Sequence, residues 1–254
     1  MKAQRENRRA PVKLSDITVV ILAGGLGTRL RPIISDRPKV LAEVLGRPFL
    51  TYLFDQLDHA GAREVILCTG YMAGSVREEI GESYSSLRIK HSVEDAPLGT
   101  GGALRLALPL IKSDTVMVMN GDSYVNADLE SFLEWFLQKN IVAALLLAKV
   151  VDTSRYGRVV SATDGHIKTF EEKGGIAGDG WINAGVYLLE KKVVETISPG
   201  QTFSLERELF PSLIGKKLYG YRCEEEFIDI GTPKSFLKAE KFFSGLNSVL
   251  KPSY

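Results

Sequence analysis

Cysteine and histidine are scarce. Cys68 and Cys223 are the only cysteines, and His59, His91 and His166 are scattered without metal-ligand spacing. A disulfide-stapled fold and a Cys/His zinc site are thereby excluded. Both cysteines fall in strand-like runs, where a free thiol behaves as a small buried hydrophobe, so a reducing, cytoplasmic setting is expected. No apolar run approaches the roughly 20 residues of a membrane helix, and the longest, 141–151, contains Lys149. An excess of one charge sign is also missing. Lys and Arg number 32 against 31 Asp and Glu, so neither nucleic acid nor a membrane surface is expected as a partner. Lys2, Arg5, Arg8 and Arg9 crowd the start, but no apolar segment follows them. Residues 1–13 are therefore expected to be a flexible tail and not a secretory signal. Repeats and low-complexity linkers are absent, and 254 residues with 44% hydrophobic content can bury one sizeable core.

What is present is an alternation of strands and helices. The runs 17–21, 64–69, 87–91, 115–119 and 143–150 read as strands. Between them lie helices over 75–80, 102–108 and 129–139, and an amphipathic one with Leu50, Leu53, Phe54 and Leu57 on one face, closed by Gly61. Such order implies a parallel sheet with right-handed crossovers. The second half differs. Asp164-Gly165 between 159–163 and 166–170 is a hairpin signal. A strand over 182–189, helices near 193–197 and 204–210, strands at 218–222 and 227–230 and a helix over 234–246 follow. The expected fold is α/β: a Rossmann-like, three-layer, mostly parallel sheet with an antiparallel insertion over one side.

The most informative stretch is Leu22-Ala23-Gly24-Gly25-Leu26-Gly27-Thr28-Arg29-Leu30-Arg31-Pro32. It follows the first strand, and its glycines let backbone N–H groups approach an anion. With two arginines beyond, it suggests a nucleoside triphosphate site. It is not a P-loop, since no Lys-Ser/Thr follows Gly27, and Leu30 stands where the dinucleotide fingerprint needs a third glycine. A ligand-free strand-to-helix turn is the alternative.

Asp122, in Asn120-Gly121-Asp122-Ser123, follows an apolar strand and so lies at the carboxyl end of the sheet. Asp229 sits between apolar residues in Phe227-Ile228-Asp229-Ile230-Gly231-Thr232-Pro233, an unusual place for an unpaired acid. Together with phosphate oxygens the two could hold Mg²⁺; two separate turn aspartates are the alternative. Lys39 after Pro38 and Lys173 at a hairpin end are candidate phosphate cations, though a solvated lysine or a surface ion pair would look the same. Pro97-Leu98-Gly99-Thr100-Gly101-Gly102-Ala103-Leu104 is a second glycine-rich loop, preceded by Glu94 and Asp95. A carboxylate accepts two hydrogen bonds, matching the adjacent donors on guanine's Watson–Crick edge, so GTP is favoured; a helix-entry loop with solvated acids is the other reading. No Ser-His-Asp or Cys-His arrangement indicates a covalent intermediate.

In chain order, Leu22 to Pro32, Pro38-Lys39, Gly70-Tyr71, Pro97 to Leu104, Asn120-Gly121-Asp122, Tyr156-Gly157-Arg158-Val159, Glu172-Lys173, Asn183-Ala184-Gly185 and Asp229 to Pro233 resemble the sugar-1-phosphate nucleotidyltransferase family. The run Ser92 to Leu104 is most similar to its heptose 1-phosphate guanylyltransferase subgroup. The resemblance implies one domain over 14–254, with 14–150 mainly binding nucleotide and 151–254 mainly binding sugar phosphate. It implies nucleotide contacts from Leu22, Ala23, Gly24, Gly25, Gly27, Thr28, Arg29, Pro97, Gly99, Thr100 and Asp122. Arg29 and Lys39 would hold the triphosphate, Lys173 the sugar phosphate, and Glu172 the sugar hydroxyls, with Gly157 and Asn183 beside them. Asp122 and Asp229 would share Mg²⁺. The expected partners are a nucleoside triphosphate and a sugar 1-phosphate, with a homodimer left open. The family often has proline after the Glu-Lys pair; here Gly174-Gly175 follow.

Overall fold

The computed structural model describes residues 11–171 and 178–249. In chain order the first half runs β1 (Thr18–Leu22), β2 (Glu43–Val44), β3 (Arg47–Pro48), α1 (Phe49–His59), β4 (Glu64–Thr69), α2 (Ala73–Ile80), β5 (Ser83–Tyr84), β6 (Leu87–Val93), α3 (Gly99–Ala107), β7 (Thr115–Asn120), β8 (Ser123–Val125) and α4 (Leu129–Lys139). The second half runs β9 (Ala143–Val150), β10 (Arg158–Ser161), β11 (Ile167–Glu171), β12 (Gly180–Glu190), α5 (Lys191–Glu195), α6 (Phe210–Leu213), β13 (Leu218–Cys223), β14 (Phe227–Asp229) and α7 (Pro233–Val249).

Strands β7, β1, β4 and β6 lie side by side and parallel. Successive residues of these strands serve opposite layers, as the period of two requires. Val19 and Ile21 pack with Leu53 and Phe54 of α1 and Phe132 of α4 on one face. Val20 packs with Leu104 of α3 and Val194 of α5 on the other. A third cluster joins Leu30, beyond the glycine loop, to Phe49 of α1, Ile228 and Ile230 around β14, and Phe243 of α7.

The chain steps from β1 outward to β4 and β6, then returns to place β7 on the other side of β1. That reversal opens a crevice at the carboxyl ends of β1 and β7, where ligands of open α/β sheets gather.

The antiparallel part of the second half is not laid over one side of the sheet. It extends the sheet edge: β12 runs antiparallel to β7 and β9, β10 pairs β12, and β11 pairs β10. The eleven residues of β12 are long enough to serve neighbours on both edges. Its register on β9 shifts between Asn183 and Tyr187, with Gly185 at φ +79°. Bulges of this kind re-aim side chains next to sites. Both cysteines are buried and free, and no helix among the described residues is long and apolar enough to cross a membrane.

Asp128 caps α4: Oδ1 accepts from Ser131 N at 3.0 Å and Oδ2 from Ser131 Oγ at 2.7 Å. These bonds, the backbone one first, hold its carboxyl below the usual range. A carboxyl whose pKa is lower folded than unfolded stabilises above the unfolded value, and the contribution fades as pH falls through the folded one. Asp128→Ala should therefore cost about 1 kcal/mol at neutral pH and progressively less in acid, read by urea titrations at both pH values.

Candidate active site

The glycine loop leaves β1 on one side of the crevice, and Asn120-Gly121-Asp122 leaves β7 on the other. Gly121 N donates to Leu22 O at 2.9 Å, pinning the two strand ends together. A first cavity of about 280 Å³ opens there. Leu22, Ala23, Gly24, Gly25, Lys39, Glu94, Pro97, Gly99, Thr100 and Asp122, all expected from sequence, line it together. Asn120, Cys68 and Ala103 also line it; Cys68 carried only a core signal in the sequence.

Glu94 reaches this cavity across two stripped strand ends. A Cβ on Gly24 would lie 2.8 Å from Glu94 Oε1, and one on Gly70 2.7 Å from it. Glu94 Oε2 accepts from Leu98 N at 3.1 Å. Burial pushes the Glu94 carboxyl up, partly offset by the Leu98 N–H. The second glycine loop spends two of its amides on the chain itself. Gly101 and Gly102 N–H groups donate to Phe203 O at 2.8 and 3.1 Å. A Cβ on Gly101 would lie 2.6 Å from Phe203 Cδ1, so glycine here permits close packing on the 201–203 segment.

A second cavity of about 270 Å³ adjoins the first. Arg29, Gly157, Asn183, Asp122 and Asp229 line it, and Asp122 and Asn120 are shared between the two. Arg29 thus faces the second cavity, not the first. Gly27 and Thr28 line neither; Gly27, at φ +61°, would set a Cβ 3.2 Å from Lys39 Cβ and so serves the turn. Glu172 and Lys173 lie outside the described residues. Residues without an assigned role in the sequence reading also line this cavity, Arg155, Tyr156, Glu206 and Gly231 among them. Tyr156 and Gly231 sit inside quoted motifs; Arg155 and Glu206 carried no signal.

The two aspartates are joined by a short ladder. β8 and β14 pair antiparallel with Asp229 opposite Ser123, and Ile230 N donates to Asp122 O at 2.9 Å. Lys39 Nζ forms an ion pair with Asp122 Oδ2, its side chain only 10% exposed. Asp229 Oδ2 accepts from the Tyr156 hydroxyl at 2.7 Å and lies 3.5 Å from the Arg155 guanidinium. Asp229 Oδ1 accepts from Gly231 N at 2.8 Å and Ser235 Oγ at 3.2 Å. Burial and the charge of Asp229 push the Tyr156 hydroxyl up, which keeps it a donor. A Cβ on Gly231 would lie 2.7 Å from Asp229 Oδ1, 3.3 Å from Lys39 Nζ and 3.5 Å from Arg29 Nη2. One acid and two cations thus converge on a residue that has no side chain.

No group of three or more His, Cys, Asp or Glu among the described residues is arranged to hold a metal. The two hard-oxygen carboxylates on one cavity fit Mg²⁺, which binds through one or two carboxylates and completes its shell with substrate phosphates and water.

Gly231→Ala should lower turnover about a hundredfold, as ångström-scale displacement of reacting groups does, and should lower the melting temperature as well, because the new methyl displaces Asp229 Oδ1 from its bonds to Gly231 N and Ser235. Pyrophosphate release and calorimetry on the same preparation check this.

The Nucleotidyl transferase family model matches residues 18–244. The D-glycero-alpha-D-manno-heptose 1-phosphate guanylyltransferase of Aneurinibacillus thermoaerophilus is 37% identical over 223 residues, 87% of this chain and 96% of that protein. The mannose-1-phosphate guanylyltransferase of Mycobacterium tuberculosis is 36% identical over 226 residues, 87% of this chain but only 63% of that longer protein. The crystal structure of HddC from Yersinia pseudotuberculosis complexed with GMP-PN superposes with a TM-score of 0.81 at 35% identity, covering 89% of this chain and 99% of that one. With two cavities that share Asp122 and with residues 18–244 matched by the family model, the chain belongs to the nucleotidyl transferase family.

Proposed function

We propose that this chain transfers GMP from GTP to a heptose 1-phosphate, D-glycero-α-D-manno-heptose 1-phosphate in particular, releasing pyrophosphate. The observation that carries the reading is the shared wall. Asp122 lines both cavities, and Asp229 and Arg29 line the second beside it. A triphosphate in the first cavity and a sugar phosphate in the second would present their reacting phosphates to the same charges. The heptose-specific relative, similar over 96% of its own length, supports the sugar. The carboxylate of Glu94 in the first cavity supports guanine, whose N1 and N2 donors it can accept.

An anomeric phosphate oxygen attacks the α-phosphorus in line, the bond to the β-phosphate oxygen breaks, and pyrophosphate leaves. The nucleophile is ionised near neutral pH, so no general base is needed. Holding both substrates in one geometry supplies much of the rate. Lys39 neutralises charge on the nucleotide side and Arg29 at the boundary between the cavities. Glu172 would accept sugar hydroxyls and Lys173 would meet the sugar phosphate. Asp122 and Asp229 would hold Mg²⁺, which when bound neutralises charge on the transferring phosphoryl group.

Turnover over a grid of GTP, dTTP and UTP against heptose, mannose, glucose and N-acetylmuramate 1-phosphates tests the assignment, with pyrophosphate as the readout. GTP with the heptose 1-phosphate should lead. Mannose 1-phosphate is the second reading, favoured by the mycobacterial relative. A pyrimidine triphosphate in first place would refute the role given to Glu94. Binding of both ligands without pyrophosphate release would point to a sensor. Because burial raises the Glu94 carboxyl, its protonation should weaken GTP on acidification from a pH above the ordinary glutamate range. Glu94→Gln should abolish that limb of the KM profile.

Asp122→Asn and Asp229→Asn should each cut turnover by orders of magnitude and raise the Mg²⁺ concentration needed for half-maximal rate. Asp229→Asn should also lower the melting temperature, because its carboxylate accepts from Tyr156, Gly231 and Ser235. Normal Mg²⁺ dependence in either variant would remove that residue from the metal site.

A further inference from the structure

A hydrogen-bonded chain connects the walls of the two cavities, and none of the substrate contacts above requires it. At its centre are Tyr187 of β12, fully buried, and Glu206. The Tyr187 hydroxyl donates to Glu206 Oε1 at 3.1 Å and accepts from Asn183 Nδ2 at 2.9 Å. A phenol has one proton and two lone pairs, and here the proton and one lone pair are engaged. Glu206 Oε2 accepts from Thr100 Oγ1 at 2.7 Å and from Ser204 Oγ at 3.0 Å. Thr100 Oγ1 in turn accepts from Leu205 N at 2.9 Å.

Three bonds in series therefore run from Thr100, in the nucleotide wall, to Asn183, in the sugar-phosphate wall. Glu206 sits in a wide helical turn, Leu205–Leu209, in which Leu209 N reaches back to Ser204 O at 3.2 Å. Turns with this i→i+5 bonding are frequent at functional sites. Its partners demand a carboxylate, because Tyr187, Thr100 and Ser204 all donate to it. An amide at this position would turn N–H toward hydroxyls that now donate to the carboxylate, losing at least one bond of a part-buried network. Burial also pushes the Tyr187 hydroxyl up, which keeps its proton in place as a donor.

We propose that Glu206 is a positioning residue that holds the nucleotide wall and the sugar-phosphate wall in one register, acting through Thr100 on one side and Tyr187 and Asn183 on the other. The proposal rests on the two-substrate reading above. It predicts that a change at Glu206 is felt by both substrates, although Thr100 and Asn183 each serve one.

Steady-state kinetics with GTP and the heptose 1-phosphate, alongside melting temperatures, test this. Glu206→Gln should raise both KM values about tenfold, with a smaller effect on kcat. Thr100→Val should raise only the KM for GTP, and Asn183→Ala only that for the sugar phosphate. A folded Glu206→Gln enzyme with either KM within about twofold of the parent, the scatter ordinary for surface changes, overturns the proposal. Should that variant fail to fold, Tyr187→Phe keeps the ring packed on Phe210, 4.8 Å away between centroids, and removes only the hydroxyl. A raised sugar-phosphate KM in Tyr187→Phe, with the KM for GTP held by the intact Thr100–Glu206 bond, supports the proposal, and an unchanged sugar-phosphate KM overturns it. A parent inactive on every substrate pair refutes the proposed function instead. In that case GTP titration calorimetry decides, with unweakened binding in Glu206→Gln overturning the positioning role.

Discussion

Two carboxylates held side by side are the constraint around which the rest is arranged. Asp122 and Asp229 come from strand ends more than a hundred residues apart in sequence, and a three-residue ladder binds those ends together. Like charges in a partly enclosed crevice repel unless donors and cations surround them. Lys39 meets Asp122, while Tyr156, Arg155, Gly231 and Ser235 meet Asp229. The neighbourhood follows from this need. Gly231 can carry no side chain where Lys39 Nζ and Arg29 Nη2 converge. Thr232 and Ser235, at the start of α7, bond one another and tie Asp229 to that helix. Leu30 and Ile230 anchor the glycine loop and the acid strand in one apolar cluster.

The sheet supplies the place for this arrangement. Reversal of the winding about β1 frees the carboxyl ends of β1 and β7 from any crossover, and both charged loops emerge there. The long β12 then carries the fold's second task. It pairs with β9 at both ends and with β7 over its last residues, and the register shift on β9 sets Asn183 and Gly185 against the crevice. Asn120 Nδ2 and Ser123 Oγ would each lie 2.7 Å from a Cβ on Gly185, so the strand approaches the acid loop closely only because that residue is glycine. Tyr187 and Glu206 link this strand to the nucleotide loop through bonds that pass beneath both cavities' walls.

Much of the fold was legible because local signals agreed. The strands 64–69 and 143–150 and the helix 129–139 were bounded as found, since apolar period, turn residues and the Asp128 cap coincide there. The start of α3 was missed by three residues. Gly99, Gly101 and Gly102 have poor helix propensity, and they pack closely against Phe203. The helix expected over 204–210 forms as a wide turn over 205–209 that runs on into α6, with Leu205 N and Glu206 bonded to Thr100 of a distant segment. The placement of the antiparallel strands as an edge extension was also invisible, since pairing partners are set by the whole sheet.

The sequence by itself determined which chemistry was available: a bare loop after a strand, an acid at each of two strand ends, and cations near them. Local residue types and spacing carry that information. Tertiary structure alone decided which residues share a wall. It turned Arg29 toward the second cavity, set a half-buried Glu94 against two glycines, and brought in Arg155 and Glu206, which no local pattern marks. Such proximity depends on strand order and register, and these emerge only when the whole core is packed.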